Sequence, residues 1–259
     1  MPDTPQVVPD LLLQRDDVCP AEKAAAIKAW ALWSGRPPNR RTATLADVVQ
    51  GVFIQAPGEH PPAVPIGTVE FCRAWMRSCG LHEPAPLDFP DALREFLGRR
   101  VQRLACYALA PDGAWVKPVR TKAWAAHRKG IDPTPEDLDP TGEVWASQPL
   151  QLQAEWRVYV LDTQVVGVGR YDDGEDALDA RQNQAQVWAQ QLARFWAARE
   201  VTPAAYALDV ACTQDGRWVL VEVTDAWAMG YYRGSCTEQN YLRMLLRRWE
   251  DLVHDRFLA

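Results

Sequence analysis

The sequence predicts a mixed α/β protein built as two unlike parts. Three observations carry this. Up to about residue 100, helical apolar spacing alternates with Pro-rich loops. Beyond it the texture turns to short alternating strands. Within that second part, DVACTQDGRWVLVE (209–222) reads as a β-hairpin set between two long amphipathic helices. The expected division is therefore an N-terminal α/β region over 1–100 and a larger core over 101–259.

Taken in order, residues 1–18 read as an arm or a single edge strand (VVPDLLL). Pro20 through Trp33 forms a helix with Pro at its start and Gly35 beyond its end. RPPNRRTA (36–43) is a basic turn, Thr44 caps a short helix to Gln50, and VFIQ follows as a short strand before the Pro-rich PGEHPPAVP. Thr68–Ser78 has helical spacing with Gly80 as its C-terminal stop. Asp91–Leu97 is a further helix. Arg103–Leu109 and Ala114–Pro118 flank PDG as a hairpin, and residues 119–141, rich in Pro and Asp, read as a mobile flap. Glu143–Ser147 is a strand. Leu152–Leu161 alternates cleanly, with Gln153, Glu155, Arg157 and Tyr159 on one face, and Gln164–Tyr171 pairs back on it. Asp179–Arg199 is a long helix with Val187, Leu192, Phe195 and Trp196 on its apolar side, and Tyr241–Phe257 is a C-terminal helix.

Composition narrows the function classes. Apolar residues make up 47% and charged residues 24%, as in ordinary globular enzymes, and the net charge of −6 argues against a general nucleic-acid footprint. Twelve Trp are scattered from Trp30 to Trp249, which suits core packing better than a base-stacking platform. Six Cys without a CxxC pair, beside only four His, do not space as a zinc site; Cys72 and Cys106 read as small core residues. The N-terminus has no basic n-region with an apolar run, and no stretch approaches a membrane span, so the expected compartment is the cytoplasm.

The hairpin poses the chemical question. A two-residue turn at Asp215-Gly216 pairs Gln214 with Arg217 and, with constant register, sets Asp209 directly opposite Glu222. Its core face then carries Leu208/Val223, Val210/Val221 and Cys212/Val219. The other face carries Thr213/Trp218, Ala211/Leu220, the two acids and Ala207/Thr224. Like charges directly opposite repel, so two acids on a largely apolar face share a proton, meet a Lys or Arg, or bind a cation. Asp225 adds a third acid. Lys117 ends the strand AWVKP, with Arg120 and Lys122 opening the flap. Such a lysine can reach a phosphate, or it can be a plain surface residue. Arg157, beside Glu155, suits either a cross-strand ion pair or a phosphate fork.

AWVKP, then SQPLQLQAEWRVYV, then LDVACTQDGRWVLVEVTDAWAMG, in that order, resemble the ATP-grasp superfamily, in particular its small branches of largely unassigned substrate. PIGTVEFCRAWM and PDALREFLGRRV add to the likeness, which covers about residues 60–235. The resemblance implies an ATP-grasp fold with a nucleotide cleft between two lobes, and ATP and Mg²⁺ as cofactors. It implies Lys117 on the ATP phosphates, with Lys122 and Glu155 in the same nucleotide site. Ser147-Gln148-Pro149-Leu150 would be the hinge that meets adenine, and Arg157 would aim at the transferred phosphoryl group. Asp209 and Glu222 would be the metal ligands. The Asn usual two positions after that Glu is Thr224 here, with Asp225 as a candidate substitute. The implied activity is carboxylate–amine ligation through an acyl phosphate, on small-molecule or peptide substrates. Tyr231, Tyr232 and Arg233 are candidates for the acceptor pocket. A phosphotransferase on the same fold, a non-catalytic nucleotide-binding module and a metal-free acid-pair hydrolase stand as rivals.

Overall fold

A computed structural model describes residues 10–34, 40–52, 62–170 and 181–255. The expected strand VFIQ lies mostly outside these residues. Three sheets organise the chain. The first is parallel, in the order β2-β1-β3, from β1 (Leu11–Gln14), β2 (Arg40–Ala43) and β3 (Val64–Ile66). β1 is thus a central strand with four buried residues, not an edge or an arm. β2 and β3 replace the expected basic turn and part of the Pro-rich loop. Neither shows the period-2 pattern from which strands are read, and both are short.

Helices α1 (Pro20–Ser34), α2 (Leu45–Val49) and α3 (Val69–Ser78) surround this sheet. Their starts follow the local signals. Thr44 and Asp47 form a reciprocal capping box, and the Thr68 hydroxyl accepts from the Phe71 N–H. The core of this part is closed by the far end of the chain, since α5 (Glu238–Asp255) packs on α1 and buries Tyr241, Leu245 and Trp249 beside Leu12, Ala26 and Trp75.

The second sheet is antiparallel, in the order β11-β10-β8-β9, from β8 (Leu152–Leu161), β9 (Gln164–Arg170), β10 (Ala205–Thr213) and β11 (Trp218–Asp225). One face, with Trp156, Val158, Val160, Leu208 and Val210, is buried under α4 (Gln182–Ala197). On α4 the expected apolar residue Val187 is 60% exposed; Ala185, Ala189, Leu192 and Trp196 face the sheet instead.

The third sheet runs β4-β7-β5-β6, from β4 (Val101–Leu104), β5 (Trp115–Pro118), β6 (His127–Arg128) and β7 (Val144–Ser147). β4 and β5 both pair with β7 and not with each other, so PDG is not a hairpin turn. Residues beyond Leu104 turn into a short 3₁₀ segment, Tyr107–Leu109, beside a half-exposed Cys106. Asp91–Phe96 is likewise 3₁₀ rather than α-helical.

The expected flap is largely fixed. β6 pairs with β5, Trp124 and His127 are buried, and Lys129 Nζ donates to the carbonyls of Tyr107, Ala108 and Ala110 at 3.3, 3.1 and 2.6 Å. Charge-assisted bonds of this kind contribute about 1.5–3 kcal/mol. Lys129→Met is therefore expected to speed amide exchange over 114–131 by roughly tenfold or more. Unchanged exchange would show that the segment is held by its apolar contacts alone.

All six cysteines are free thiols. Among the described residues no helix is long and apolar enough to cross a membrane.

Candidate functional site

The β10–β11 hairpin brings Asp209 opposite Glu222 as the sequence implies, by a different route. The turn is one residue longer than expected. Thr213 closes it against Arg217, and Gly216 takes the positive φ of 82°. From there Cys212 meets Trp218, Ala211 meets Val219 and Val210 meets Leu220, until a bulge restores the Asp209–Glu222 pair. The two departures cancel at the acids but not before them. Trp218 and Leu220 therefore join the core face in place of Val219 and Val221. The bulge carbonyls find a donor in Arg99, whose Nη1 and Nη2 reach Leu220 O at 3.0 Å and Val221 O at 2.8 Å. Burial pushes the Arg99 pKa down to about 10, against the pull of Glu222 and Glu155.

Each acid meets a cation from a different element. β8 lies beside β10 with Arg157 opposite Asp209, and the guanidinium grips the carboxylate at 2.7 and 2.5 Å. This pair is buried, Arg157 at 3% and Asp209 at 1% exposure. Arg157 thus forms an ion pair across the sheet, with Asp209 and not with its neighbour Glu155. Its guanidinium also lies over the Tyr232 ring, 5.2 Å from the centroid. Glu222 accepts from Lys117 Nζ at 2.5 Å, and the same ammonium donates to Asp88 at 2.7 Å.

The acids differ in proton affinity. Burial alone would raise the Glu222 pKa, but Lys117 overrides it and holds the carboxyl below its ordinary value. Burial pushes Asp88 and Asp209 upward despite Lys117 and Arg157. Burial opposes the charge on Lys117 too, yet Glu222 and Asp88 together raise its pKa. Two acids on an apolar face are thus neutralised by one cation each, from two different sheets.

The other expected site residues fall in several places. Lys122 donates to Ala228 O at 2.6 Å and adopts a positive φ of 50°. Desolvation and the Arg157 charge lower its pKa, while Glu222 and Asp209 pull it back. It lines a cavity of about 260 Å³ with Cys19, Glu22, Thr68, Trp227 and Gly230. Glu155 stands on the Arg157 face of β8, opposite Ala211. Ser147 ends β7, and Gln148 is tied to Arg100: its N–H donates to the Arg100 carbonyl at 3.1 Å and its Oε1 accepts from the Arg100 N–H at 3.2 Å. Ser147, Gln148 and Pro149 border a cavity of about 390 Å³. Leu150 lies between β7 and β8.

Asp225 is a correction. Three residues after Glu222 it turns to the opposite face of β11, pairs across from Tyr206 and is gripped by the buried Arg248 at 2.9 and 2.7 Å. It does not join the acid cluster. Tyr231 is buried, with its hydroxyl on Cys236 O. Of the three acceptor-pocket candidates, Tyr232 is the one that lies against Arg157.

Sequence reasoning missed Asp88, Arg99 and the clamp made by Tyr159. Asp88 sits in a Pro-rich loop without periodicity, and Arg99 follows a Gly where no element is readable. Tyr159 did carry a signal, since it lies on the polar face of β8 two residues from Arg157. Its hydroxyl donates to Gly230 O at 3.2 Å and accepts from the Tyr232 N–H at 3.2 Å.

Comparison with known proteins follows the same lines. No functionally curated protein matches the sequence. The chain is similar in structure to the ATP-grasp ligase PsnB complexed with precursor peptide PsnA2 and AMPPNP, with 12% identity, 93% of this chain and 97% of that chain covered, and a TM-score of 0.44. It is similar to an ATP-grasp RimK domain protein from Sphaerobacter thermophilus, with 15% identity, 91% and 99% covered, and a TM-score of 0.46. It is also similar to a D-alanine–D-alanine ligase from Bacillus anthracis complexed with ATP, with 11% identity, 96% and 99% covered, and a TM-score of 0.49. Residues 96–244, more than half of the chain, match the model of an ATP-grasp domain family, the second family of its clade. The match spans β4 to α5 and both cationic partners of the acid pair. The chain belongs to this ATP-grasp domain family.

Proposed function

We propose that this protein is an Mg²⁺- and ATP-dependent ligase that joins a carboxylate to an amine through an acyl phosphate. The observation that carries the reading is the balanced cluster Lys117, Asp88, Glu222, Asp209 and Arg157, set between the second and third sheets of an ATP-grasp family member. A triphosphate needs cations at its oxygens, and a magnesium ion needs one or two carboxylates beside it. The cluster contains both kinds of group. Among the described residues no three His, Cys, Asp or Glu side chains converge as a ready metal centre. The donor set still fits a hard cation, because the Glu222 and Asp88 carboxylates already share one positive group, the Lys117 ammonium.

In this reading Glu222, with Asp209, holds Mg²⁺, and the ion supplies charge neutralisation at the phosphates when bound. Lys117 and Lys122 bind phosphate oxygens, Glu155 orients the nucleotide, and Ser147–Leu150 flanks adenine. The Gln148 N–H is already committed to Arg100, so adenine recognition falls to the rest of that segment. Arg157, held by Asp209 and stacked on Tyr232, faces the γ-phosphoryl group. The terminal P–O bond of ATP breaks as the carboxylate oxygen bonds to phosphorus, and ADP leaves. The amine then attacks the acyl carbon, loses a proton, and phosphate departs with the C–O bond. The cavity beside Lys122 gives the acceptor room, and the segment 119–141 shields the acyl phosphate from water. We also propose the division at residue 100, with the qualification that α5 packs into the first part.

Thermal unfolding with ATP, Mg²⁺, or both tests the reading. A ligand that binds only the folded chain raises its melting temperature. Stabilisation should require ATP and Mg²⁺ together and shrink in Glu222→Gln. No shift in the folded native chain would sink the nucleotide assignment. A shift without acceptor-dependent ADP release would instead leave a nucleotide-binding module.

A further inference from the structure

The Pro-rich segment before the 3₁₀ turn holds a residue that no motif marks. Asp88 has a positive φ of 32° and is buried. A non-glycine residue keeps such a backbone only where its surroundings fix it. Here they do so on three sides. The Asp88 carbonyl accepts from the Val223 N–H at 2.9 Å, which adds one rung to the outer edge of β11 next to Glu222. One carboxylate oxygen accepts from Lys117 Nζ at 2.7 Å and the other from Trp145 Nε1 at 2.9 Å. Phe89 then packs edge-on to Trp145 at 5.1 Å. A single residue ties the hairpin that carries Glu222 to the two strands that carry Lys117 and Trp145.

We infer that Asp88 is the positioning residue for Lys117, and that it retains the ammonium when Glu222 turns to a metal–nucleotide ligand. The second half of this inference rests on the function proposed above; the first does not. The charges require some such partner. With Glu222 alone, Lys117 would have one anionic partner and would compete with the cation for it. With Asp88 present, Glu222 can leave and Lys117 still has a charge-assisted bond in place. Burial raises the Asp88 pKa, but the nearby Lys117 keeps a reason for it to ionise.

Asp88→Asn is the sharp variant. Asn tolerates positive φ, so the backbone is kept while the charge is removed. Trp145→Phe is the control, because it removes the other hydrogen bond of Asp88 and leaves the ammonium bridge. The first measurement needs no nucleotide: the acetylation rate of Lys117 by acetic anhydride, read by peptide mass spectrometry. Asp88→Asn should raise it about tenfold, the factor that corresponds to one charge-assisted bond, and Trp145→Phe should not. The second is the Mg²⁺ concentration that gives half-maximal AMPPNP binding by calorimetry, which should rise about tenfold in Asp88→Asn and recover in part in Asp88→Glu. An unchanged Lys117 rate in folded Asp88→Asn overturns the inference. If that variant does not fold, Asp88→Glu carries the same test, and unchanged labelling in it overturns the inference equally. A raised rate in a chain that binds no Mg–AMPPNP leaves the positioning role standing and removes the nucleotide reading.

Discussion

Asp209→Ala is expected to lower the unfolding free energy by about 3–5 kcal/mol, because it takes from the buried Arg157 guanidinium the carboxylate that grips it. Both groups are almost wholly removed from water, at 3% and 1% exposure, so bulk solvent cannot step in. The pair is also bidentate, which ties the middle of β8 to β10 at the centre of the four-stranded sheet. The double replacement Arg157→Met with Asp209→Leu should lose much less than the single change, since an apolar pair of similar volume avoids the desolvation cost of both ions. Urea titration of the three variants measures this. A single variant within about 1 kcal/mol of wild type would show that water reaches the pair in solution. The Lys117–Glu222 bridge should matter less to stability, because Glu222 is 28% exposed at its side chain. Function and stability thus separate between the two acids: Asp209 is mainly a member of a buried pair, and Glu222 is the exchangeable one.

That division is only half legible in the sequence. Alternation along Leu152–Leu161 places Arg157 on the cleft face, and strand ends place Lys117 beside it, because side-chain period 2 is local physics. The opposition of Asp209 and Glu222 is also legible, yet through two errors that cancel, a longer turn and a bulge at Val221. Bulges answer to partners such as Arg99 that lie far away in sequence, so no hairpin rule locates them. Which cation meets which acid is not legible for the same reason. Asp88 reaches Lys117 across 29 residues and Glu222 meets Lys117 across 105. β1 reads as an edge because its neighbours β2 and β3 sit in segments full of Arg and Pro, and α5 returns to the N-terminal core from the opposite end of the chain. Asp225 reads as a cluster member by proximity in sequence, although its odd spacing from Glu222 already puts it on the other face of the strand.

Gly169→Ala should cost about 1–3 kcal/mol and disturb the acceptor side of the site while sparing the nucleotide side. In QVVGVGR the two glycines stand two apart, so both face the way of Tyr159 and Arg157, their partners in register on β8. The loop 230–236 lies directly on them, with Gly167 bridged to Cys236. A Cβ on Gly169 would come within 2.7 Å of the Ser235 Cα, which is backbone and cannot swing aside. That loop holds Tyr232 over Arg157 and Ser235 within 3.3 Å of the Tyr159 hydroxyl. Displacing it therefore strips the aromatic cover from Arg157 without touching Lys117 or Glu222. The expected pattern is a lowered urea midpoint, Mg–AMPPNP binding within about twofold of wild type, and a fall in acceptor-dependent ADP release, since contacts this far from the nucleotide cluster add independently. Equal loss of nucleotide binding would place the loop's influence on Glu222 as well. Gly216→Ala is the contrast: its Cβ meets nothing within 4 Å and only the positive φ of 82° opposes it, so its cost stays in the turn and leaves acceptor-dependent turnover unchanged.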